Sequence, residues 1–592
     1  MGSVEDTEST FDYIVCGQTT GLLIHDRGGT SGCVVAGRLA ENPGVKILLL
    51  EAGPHNKDLE NRRWSNNFDS ETDWNVITPP MAGVDNRQVK LSRGRFLGGC
   101  SGCNGTLCIR GCRQDYEDWG LDGWSGDEFF NYMKKGFSLL TFLDQAETFH
   151  PKDWFKADED SHGYTGPLHT EPHDLAPISQ LLMDSFVSQG LPLNHDMFST
   201  GAVSHGCGHV PRTVYQGIRT TGADFVTNKN HSGNITIATD SIVDKVIFTH
   251  EADETHATGV VIKSSDGGSK TYYARKEIVV SGGAYCSPAI LLRSGIGPRE
   301  ELEKHTIPCT VDLPGVGKNL MDHLIVFMFY ETEKQGLTND HHVYHDNNFA
   351  KTYAEWKEQK KGFLSTFPFG SFAFARLDSR LSDSNLWTTS PRAPGRDPMG
   401  LTPSQPNIEF FTTECYGGPK QYNDFPINNK HAFSMIAELF APKSRGSVTL
   451  NSKDAMENPI VDCNYLDDPL DLLVISEACR FGNEIVMNGK GTKGIVKGSW
   501  PADLRHHTYK TREEWVPYVK EHATTCYHAA GTCAMGKDDN RMAVLDERLR
   551  VRGVAGLRVA DCSVMPALHG GHTQMPAYGI GEKCADLIKE TW

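Results

Sequence analysis

Two short apolar runs near the start of the chain flank a helical pattern of small residues. Residues 11–17 (FDYIVCG) and 45–50 (VKILLL) predict buried strands, because each run is short, apolar and followed by a glycine or an acidic residue. Residues 33–40 are small and apolar, which suits a helix packed on a sheet. The pattern predicts a strand–helix–strand unit of about 40 residues.

Further apolar runs occur much later in the chain. Residues 277–280 and 557–560 predict two more strands, so other modules are inserted between the parts of one sheet. Residues 375–430 are rich in Pro, Ser, Asn and Asp and predict long loops, while a helix is predicted near 353–361. These patterns predict an α/β fold with a nucleotide-binding half and a second half that covers a substrate.

Composition and charge exclude several classes of protein. The 592 residues carry a formal charge of −17, which argues against a nucleic-acid groove, and the chain has no apolar run of about 18 residues that predicts a membrane span. The acidic start, MGSVEDTEST, lacks the pattern of a secretory signal, and the last residues, KETW, are not a peroxisomal tail. We therefore expect a cytoplasmic protein, without nucleic-acid or membrane partners, whose 16 cysteines are reduced.

A glycine-rich turn follows the first predicted strand, although ten residues interrupt it. The dinucleotide fingerprint is a strand, G-x-G-x-x-G, a helix and an acidic residue about 20 positions later. Here the strand ends at Gly17, and the cluster 28–32 (GGTSG) completes the fingerprint only if residues 18–27 are set aside. Glu51 lies 19 residues after Gly32, where it suits a ribose hydroxyl. The turn predicts FAD or NAD binding, and a turn without ligand significance is the alternative.

Five longer motifs extend this signal over nearly the whole chain. They are SRGRFLGGCSGCNGTLCIRG (92–111), GAYCSPAILLRSGIGP (283–298), PGVGKNLMDH (314–323), YHAAGTCAMG (527–536) and DCSVMPALHGGHTQMPAYGIGEKCADLI (561–588). With these motifs in this order, the chain resembles the glucose–methanol–choline (GMC) family of flavoprotein oxidoreductases from about residue 11 to residue 588.

The resemblance implies a Rossmann-like FAD-binding domain plus a substrate domain with an antiparallel sheet and helices, α+β overall. The implied division is a polar tail at 1–10, an N-terminal FAD-binding region at 11–325 with part of the substrate domain inserted at about 146–221, a substrate-domain segment at 326–441, and a C-terminal region at 442–588 that carries the catalytic histidines and closes the FAD domain.

The resemblance also implies which residues bind FAD. The ADP half is assigned to Gly17, Gly29, Thr30, Gly32 and Glu51, and the backbone contact to adenine is assigned to Val243. The loop along the flavin contains Gly99, Ser101 and Asn104, and Asp561 lies near the ribityl–phosphate region. The flavin loop is almost entirely built of small residues, as close backbone approach requires.

Two insertions depart from the family pattern. Residues 18–27 interrupt the pyrophosphate turn, and residues 136–145 interrupt a segment that reads smoothly without them. Translated intron sequence and genuine lineage-specific loops are both open interpretations. Because the first insertion separates Gly17 from the rest of the fingerprint, the phosphate role is assigned to Gly29 and Gly32 before Gly17.

The flavin loop also carries cysteines with ligand-like spacing. Cys100, Cys103, Cys108 and Cys112 follow the pattern C-x2-C-x4-C-x3-C, which suits zinc or an iron–sulfur cluster. Because the flavin motif occupies the same stretch, we expect small buried residues there and no metal. Cys103 stands where some relatives have a histidine bound covalently to the flavin, so we expect non-covalent FAD.

The resemblance places two histidines at the chemistry. His528, in YHAAGT, matches the catalytic histidine of the family, and His572, in GGHTQMP, matches the second active-site position. A histidine suits general-base catalysis because its pKa lies near neutral pH. The implied reaction is oxidation of an alcohol: His528 removes the hydroxyl proton with help from His572, a hydride passes to flavin N5, and oxygen or another acceptor reoxidises the flavin.

The substrate is weakly encoded. Five phenylalanines within 363–374 favour an apolar or aromatic alcohol if they line a pocket, and ordinary core packing is the alternative. Two other functions remain open: an FAD-containing enzyme like the hydroxynitrile lyases, and an inactive copy whose FAD turn is interrupted.

Overall fold

The structure is a computed structural model that describes most of the chain. The described residues are 9–17, 29–53, 69–134, 146–153, 155–227, 233–239, 241–251, 254–264, 267–366, 369–417 and 430–592. Both insertions, 18–27 and 136–145, lie outside them, as do Phe367 and residues 1–8 of the polar tail.

The strands are short and come from all parts of the chain. In chain order they are β1 (Thr10–Cys16), β2 (Ile47–Leu50), β3 (Val76–Ile77), β4 (Lys90–Leu91), β5 (Glu147–Phe149), β6 (Leu168–Thr170), β7 (Gly206–Gly208), β8 (Val214–Tyr215), β9 (Ile218–Arg219), β10 (Ile235–Ala238), β11 (Ile242–Glu251), β12 (Glu254–Lys263), β13 (Ser269–Val280), β14 (Ile296–Gly297), β15 (Val311–Asp312), β16 (Leu324–Thr332), β17 (Phe369–Ala375), β18 (Ile408–Thr413), β19 (Ala432–Leu439), β20 (Ser447–Thr449), β21 (Ile460–Asp462), β22 (Val496–Ser499), β23 (Thr524–Thr525) and β24 (Leu557–Val559).

The α-helices range from single turns to 20 residues. They are α1 (Thr30–Leu39), α2 (Arg113–Glu117), α3 (Gly126–Lys134), α4 (Pro177–Ser188), α5 (Met197–Thr200), α6 (Asp224–Thr227), α7 (Gly283–Arg293), α8 (Arg299–Lys304), α9 (Asp340–Val343), α10 (Phe349–Gln359), α11 (Asp378–Leu381), α12 (Asn385–Thr389), α13 (Pro469–Asn488), α14 (Arg512–His522) and α15 (Gln574–Lys589). Among the described residues, none of the helices is both long and apolar enough to cross a membrane.

The first sheet is mostly parallel and contains the predicted strand–helix–strand unit. Its strand order is β10-β2-β1-β13-β12-β11, with β24 also paired to β13. Strand β1 runs parallel to β2 and β13, so their carboxyl ends share one edge. At that edge the Gly17 amide donates to the Leu50 carbonyl (2.7 Å), and the Ser281 amide donates to the Cys16 carbonyl (2.6 Å). In open α/β sheets such an edge is where nucleotide ligands bind.

The second sheet is antiparallel and is assembled from residues 206–525. Its order is β22-β16-β19-β18-β17-β7, with β23 paired to β16. The register of β18 and β19 places Glu409 opposite Glu438. Directly opposed residues in an antiparallel pair project to the same face of the sheet, so these two buried carboxylates lie side by side.

Each sheet has its own apolar core. Val34 of α1, Ile290 of α7 and Ile580 of α15 belong to the core that contains the strands of the first sheet. The long helix α13 contributes residues such as Val474 to the core that contains β16, β18 and β19. The first sheet is therefore covered by helices, which explains why β1 and β2 are almost continuously apolar in sequence.

The prediction of long loops over 375–430 is wrong in part. Its described residues contain helices α11 and α12 and the fully buried strand β18. A strand buried on both faces carries no alternation of polar and apolar residues, so the polar composition around IEFFTT hid it. The helix predicted near 353–361 is α10, which begins four residues earlier than expected, at Phe349.

Candidate active site

A cavity of about 220 Å³ receives residues from both sheets. One end is formed by the turn before α1, the loop at Gly99–Asn104 and the start of α7. The other end is formed by His528, His572 and apolar residues of the antiparallel sheet. The predicted residues that line the cavity are Gly29, Thr30, Gly99, Ser101, Asn104, Asp561, His528 and His572.

Three helices begin at the wall of this cavity. Thr30 at the start of α1, Gly283 at the start of α7 and Gln574 at the start of α15 all line it. Helix N-termini present unpaired backbone amides and a partial positive charge, so together they suit an anionic group such as a pyrophosphate.

Close backbone packing explains the glycines of this end. A Cβ on Gly29 would lie 2.8 Å from the Ser281 carbonyl oxygen, and a Cβ on Gly99 would lie 3.1 Å from the Gly29 Cα. Gly99 also has a φ of +52°, which disfavours other residues. The Thr30 hydroxyl donates to the Gly98 carbonyl (2.9 Å) and so ties the turn before α1 to the flavin loop.

Asp561 forms hydrogen bonds that hold the segment after β24 at the FAD end of the cavity. One oxygen of its carboxylate accepts from the Gly283 amide (2.9 Å) and the Ser287 hydroxyl (2.6 Å), and the other accepts from the Ser563 amide (2.7 Å). Burial raises the pKa of Asp561. The segment that follows β24 is thereby held against the N-terminus of α7.

Four predicted cofactor residues lie outside the cavity lining. Gly17 ends β1, Gly32 lies in the first turn of α1, Glu51 follows β2 and Val243 lies in β11. Glu51 is nonetheless connected to the segment that leads to Val243, because the Ser241 amide donates to the Glu51 carbonyl (3.3 Å). Gly17 and Glu51 thus lie at the carboxyl edge of the first sheet, and Val243 follows Ser241 by two residues at the start of β11.

At the other end the two predicted histidines meet. The ring centroids of His528 and His572 are 4.6 Å apart, with an angle of 70° between the rings. His572 donates through Nε2 to Oε2 of Glu409 (2.7 Å). The His528 amide donates to the Asp322 carboxylate (2.7 Å), and the preceding Tyr527 has a φ of +64°, a strained backbone that sets the direction of His528.

The carboxylate of Glu438 lies close to three histidines at this end of the cavity. Its Oε1 lies 3.2 Å from Nδ1 of His528 and 2.9 Å from Nδ1 of His323, and its Oε2 lies 3.8 Å from Nε2 of His572. The Cys526 thiol donates to Oε2 (3.2 Å). Nδ1 of His528 also lies 2.9 Å from Nδ1 of His323, so only one of these two nitrogens carries a proton. An ionised carboxylate only accepts hydrogen bonds, and in the tautomer in which His528 donates to Glu438 through Nδ1, the lone pair of His528 is on Nε2.

The environment sets opposite protonation states for the two histidines. Burial, together with the charge of His572, lowers the pKa of His528 to about 3, so His528 is neutral at neutral pH. Burial also acts to lower the pKa of His572, but Glu409 and Glu438 outweigh it and raise this pKa, which favours the imidazolium.

The two carboxylates also differ in their pKa. Burial raises the pKa of Glu409 to about 7. Burial acts in the same direction on Glu438, yet the neighbouring His572, His323 and His528 hold its pKa well below the usual value. The negative charge of the pair therefore resides mainly on Glu438.

Sequence reasoning missed the supporting residues of this end. Glu409 and Glu438 are the single charged residues of two fully buried strands, and a lone carboxylate in such a run is the signal that could have identified them. His323 is the last residue of the motif at 314–323 and received no role. Conversely, His569, a neighbour of His572 in sequence, is fully buried and stacks on Tyr116, and it does not line the cavity.

The phenylalanine cluster divides between pocket and core. Phe369 lines the cavity, whereas Phe372 and Phe374 pack in a buried cluster with Phe198, and Phe363 packs in another with Trp356. Both interpretations of the cluster thus hold, each for different residues.

A nucleotide-type cradle that opens onto two buried histidines is the layout of a cofactor-dependent oxidoreductase. Models of the GMC oxidoreductases match residues 23–325 and 442–581. The chain is 31% identical to the dehydrogenase pkfF of Emericella nidulans and 31% identical to an oxygen-dependent choline dehydrogenase of Burkholderia lata, in both cases over 98% of this chain and 94% of the relative. A crystal structure of formate oxidase aligns over 98% of each chain with a TM-score of 0.87 and 29% identity.

The chain belongs to the GMC oxidoreductases, and its cofactor is FAD. The predicted family, fold class and cofactor are therefore confirmed. The cavity fits this cofactor: the Ser281 hydroxyl at the carboxyl end of β13 is buried in the lining and has no hydrogen-bond partner among the described residues. A polar ligand group would satisfy it, and the glycine contacts and helix N-termini nearby suit a diphosphate.

Proposed function

We propose that this protein oxidises the CH–OH group of a small, neutral, apolar or aromatic alcohol to an aldehyde. When bound, FAD supplies the acceptor for a hydride at flavin N5. One observation carries the proposal: neutral His528 and protonated His572 lie side by side in the wall of the cavity that also contains the FAD cradle. Oxygen or another acceptor then takes the electrons.

His528 acts as the general base in this proposal. Its Nε2 has no hydrogen-bond partner among the described residues, so it is available to accept the proton of a substrate hydroxyl. The imidazolium that results is stabilised by Glu438 at Nδ1. General-base catalysis of this kind contributes roughly two to four powers of ten to a rate.

His572 supports the developing alkoxide. Its Nε2 is committed to Glu409, and its Nδ1 has no partner in the described parts of the chain, so the imidazolium has one N–H left for the substrate oxygen. A donor already oriented toward the position where negative charge develops needs no reorganisation during the reaction.

The charges around His572 favour a neutral substrate. Glu438 alone balances the positive charge of His572 below a pH of about 7, and above that pH the ionised Glu409 adds a second negative charge. An anion such as formate therefore finds no uncompensated positive charge at the histidines. A cation such as choline finds carboxylates that are already engaged by hydrogen bonds.

The remaining wall is apolar. Leu107, Ile325, Phe327, Phe369 and Phe411 line the cavity together with the histidines. Aromatic and aliphatic side chains at this position stabilise an aromatic or aliphatic group by burying it.

The proposed FAD-binding residues are those implied by the sequence, with Gly29, Thr30, Gly99, Ser101, Asn104 and Asp561 at the cavity and Gly17, Gly32, Glu51 and Val243 along the adjoining sheet edge. We also keep, as a proposal, the division into an FAD-binding region at 11–325, a substrate segment at 326–441 and a C-terminal region at 442–588.

Anaerobic mixing with a panel of alcohols tests the function. Purified yellow protein is mixed with benzyl alcohol, hexanol, choline or formate, and the loss of flavin absorbance is followed. We expect the neutral alcohols to reduce the flavin fastest. Faster reduction by choline or formate would contradict the substrate class, and a spectrum unchanged by every alcohol would contradict the oxidoreductase.

A cyanohydrin in the same assay separates the alternative activity. Release of aldehyde and cyanide from mandelonitrile, with an unchanged flavin spectrum, would favour the lyase instead. A purified protein that contains no flavin would favour the inactive copy.

A further inference from the structure

Two cysteines of the flavin loop lie three residues apart on one tight turn. Residues Gly99–Gly102 form a 3₁₀ helix, and the Cys103 amide donates to the Cys100 carbonyl (3.2 Å), which continues the turn. In a 3₁₀ helix, side chains at i and i+3 eclipse each other and their Cα atoms are roughly 6 Å apart. This separation falls within the range that a disulfide spans.

The two thiols face the same space. Cys100 and Cys103 both line the cavity and are partly exposed to it. The Cys103 thiol donates to the Cys100 carbonyl (3.7 Å), so both side chains lie on the same turn. The other cysteines of the predicted ligand-like series, Cys108 and Cys112, are buried, and their thiols donate to the carbonyls of Thr106 (3.9 Å) and Val203 (3.7 Å), which lie outside this turn.

Two buried arginines give this pair a favourable electrostatic setting. Arg93 donates to the Tyr527 carbonyl (2.6 Å) and its positive charge acts on Cys100, while Arg219 donates to the carbonyl of Asn104 (2.8 Å) and its charge acts on Cys103. The neighbouring Cys103 thiol, followed by the charge of Arg93, lowers the pKa of Cys100 to about 6. The neighbouring Cys100, followed by burial, raises the pKa of Cys103 well above its usual value.

One thiol with a lowered pKa beside one with a raised pKa is typical of a reactive dithiol. A thiolate is the attacking species in thiol–disulfide exchange, and a protonated neighbour three residues away can complete the reaction. In proteins of reducing compartments, a C-x-x-C pair is more often metal-binding or redox-active than part of a structural disulfide.

We propose that Cys100 and Cys103 form a reversible disulfide at the wall of the FAD cavity, by exchange with a low-molecular-weight disulfide. The Cys100 thiolate attacks one sulfur of the small disulfide and releases one thiolate. Cys103 then loses its proton and attacks the Cys100 sulfur, which releases the second. The two cysteines are oxidised by two electrons, and the small disulfide is reduced to two thiols.

The exchange would change the cavity without changing the fold. The turn already holds the two Cα atoms at a suitable separation, so the bond replaces the weak hydrogen bond from the Cys103 thiol to the Cys100 carbonyl. It removes a negatively charged sulfur from the cavity wall and fixes two side chains. The site is a modification site separate from the histidine end, and it does not depend on which alcohol is the substrate.

Thiol counting on the purified flavoprotein tests the proposal. The protein is reduced with dithiothreitol, desalted, and incubated with glutathione disulfide; it is then denatured in acid, alkylated and weighed by mass spectrometry. The chain contains 16 cysteines. We expect all of them to be alkylated in the reduced sample and two fewer in the oxidised sample, with the loss reversed by dithiothreitol.

Peptide mapping identifies the pair. Trypsin releases residues 96–110, which contain Cys100, Cys103 and Cys108. We expect this peptide to carry one alkyl group, on Cys108, after oxidation. A fully alkylated peptide after prolonged oxidation would overturn the proposal, as would a flavin adduct on Cys103. This measurement needs no variant, so it holds even if a substitution prevents folding.

Matched variants check the assignment. Cys100→Ser and Cys103→Ser should each show no loss of alkylation on oxidation. Cys562→Ser is the control, because Cys562 also lines the cavity and lies close enough to Cys100 for their charges to interact. It should still lose two alkylation sites, and a failure to do so would replace the proposed pair by Cys100 and Cys562.

Discussion

The FAD end of the cavity is built from backbone groups, whereas the histidine end is built from charged side chains. At the FAD end, helix N-termini and close-packed glycines such as Gly29 provide the binding surface. At the histidine end, His528 and His572 depend on Glu438 and Glu409 for their protonation states. Binding at the first end follows from local turns, and reactivity at the second follows from long-range pairing of strands.

This difference has a consequence for mutation. A substitution at the FAD end is expected to act through steric fit and therefore on cofactor content and stability. A substitution at the histidine end leaves the turns intact and is expected to act on the rate of flavin reduction. Five experiments test this separation.

The largest effect is expected for His528→Ala. Loss of the general base should slow anaerobic flavin reduction by roughly two to four powers of ten while FAD remains bound. Stopped-flow reduction with a verified substrate measures it. His506→Ala is the matched control, since His506 is also buried with a pKa of about 3 but lies outside the cavity lining. A wild-type rate in His528→Ala would show that the base is another residue.

Glu438→Gln should have the next largest effect. The amide can donate to Nδ1 of His528, which moves the proton to Nε2 and removes the lone pair that accepts the substrate proton; it also removes the charge that stabilises the imidazolium. We expect reduction to slow by about 10- to 100-fold. Glu477→Gln is the control, because Glu477 is equally buried but pairs with Arg380 and Arg480. Equal rates in both variants would exclude a positioning role for Glu438.

The pH profile compares the two ends without a mutation. The lowered pKa of His528, about 3, means that the neutral base is present above that pH and is lost only as the pH falls through it. Reduction should therefore change little between pH 8 and 5, whereas a histidine with an ordinary pKa would lose activity about 30-fold. Any inflection near pH 7 should disappear in Glu409→Gln, because Glu409 titrates there. An inflection near 6.5 that persists in this variant would contradict the neutral state of His528.

Gly29→Ala should act at the FAD end. The new Cβ would meet the Ser281 carbonyl at 2.8 Å, so we expect about 1 to 3 kcal/mol of destabilisation and a lower ratio of flavin to protein. Absorbance at the flavin and protein bands measures the ratio. Gly44→Ala is the control, because a Cβ there meets only the end of the Asn42 side chain. Normal flavin content combined with slow reduction would contradict the expectation that the FAD end controls cofactor content and the histidine end controls the rate.

The smallest of the five effects concerns the link between FAD and the protein, which we expect to be non-covalent. Since Cys103 replaces the histidine that binds flavin covalently in some relatives, all FAD should pass into the supernatant after acid precipitation. Fluorescence of the supernatant and of the washed pellet measures the distribution. Flavin retained in the pellet would show a covalent link.

The first sheet could be predicted from local patterns. The predicted segments of β1, β2, β13 and β24 are short, mostly apolar runs that lead into glycine or acidic residues, and the strands agree with them within a few residues except for β13. β13 begins at Ser269, earlier than predicted, because its first half pairs with β12 and has exposed polar positions. That pairing depends on residues elsewhere in the chain.

The histidines could also be predicted, because each lies in a motif. Their carboxylate partners could not, since Glu409 and Glu438 meet only through the register of β18 and β19. His323 reaches Glu438 from the strand β16 side of the same sheet. No local pattern in these segments indicates that Glu438 and His323 contact His528 or that Glu409 contacts His572.

The position of α15 and β24 in the chain has a consequence for biosynthesis. Ser31 of α1 donates to the Ala577 carbonyl (2.7 Å), and Arg38 of α1 pairs with Glu582 (2.8 Å), so the first helix of the FAD cradle is completed by residues made more than 500 positions later. At roughly 5 to 20 residues per second, translation of the intervening chain takes about half a minute to two minutes. The N-terminal unit emerges from the ribosome long before its last partner exists. Cofactor loading therefore has to await the final stretch of synthesis, and until then the nascent chain exposes an unfinished apolar surface that chaperones can bind.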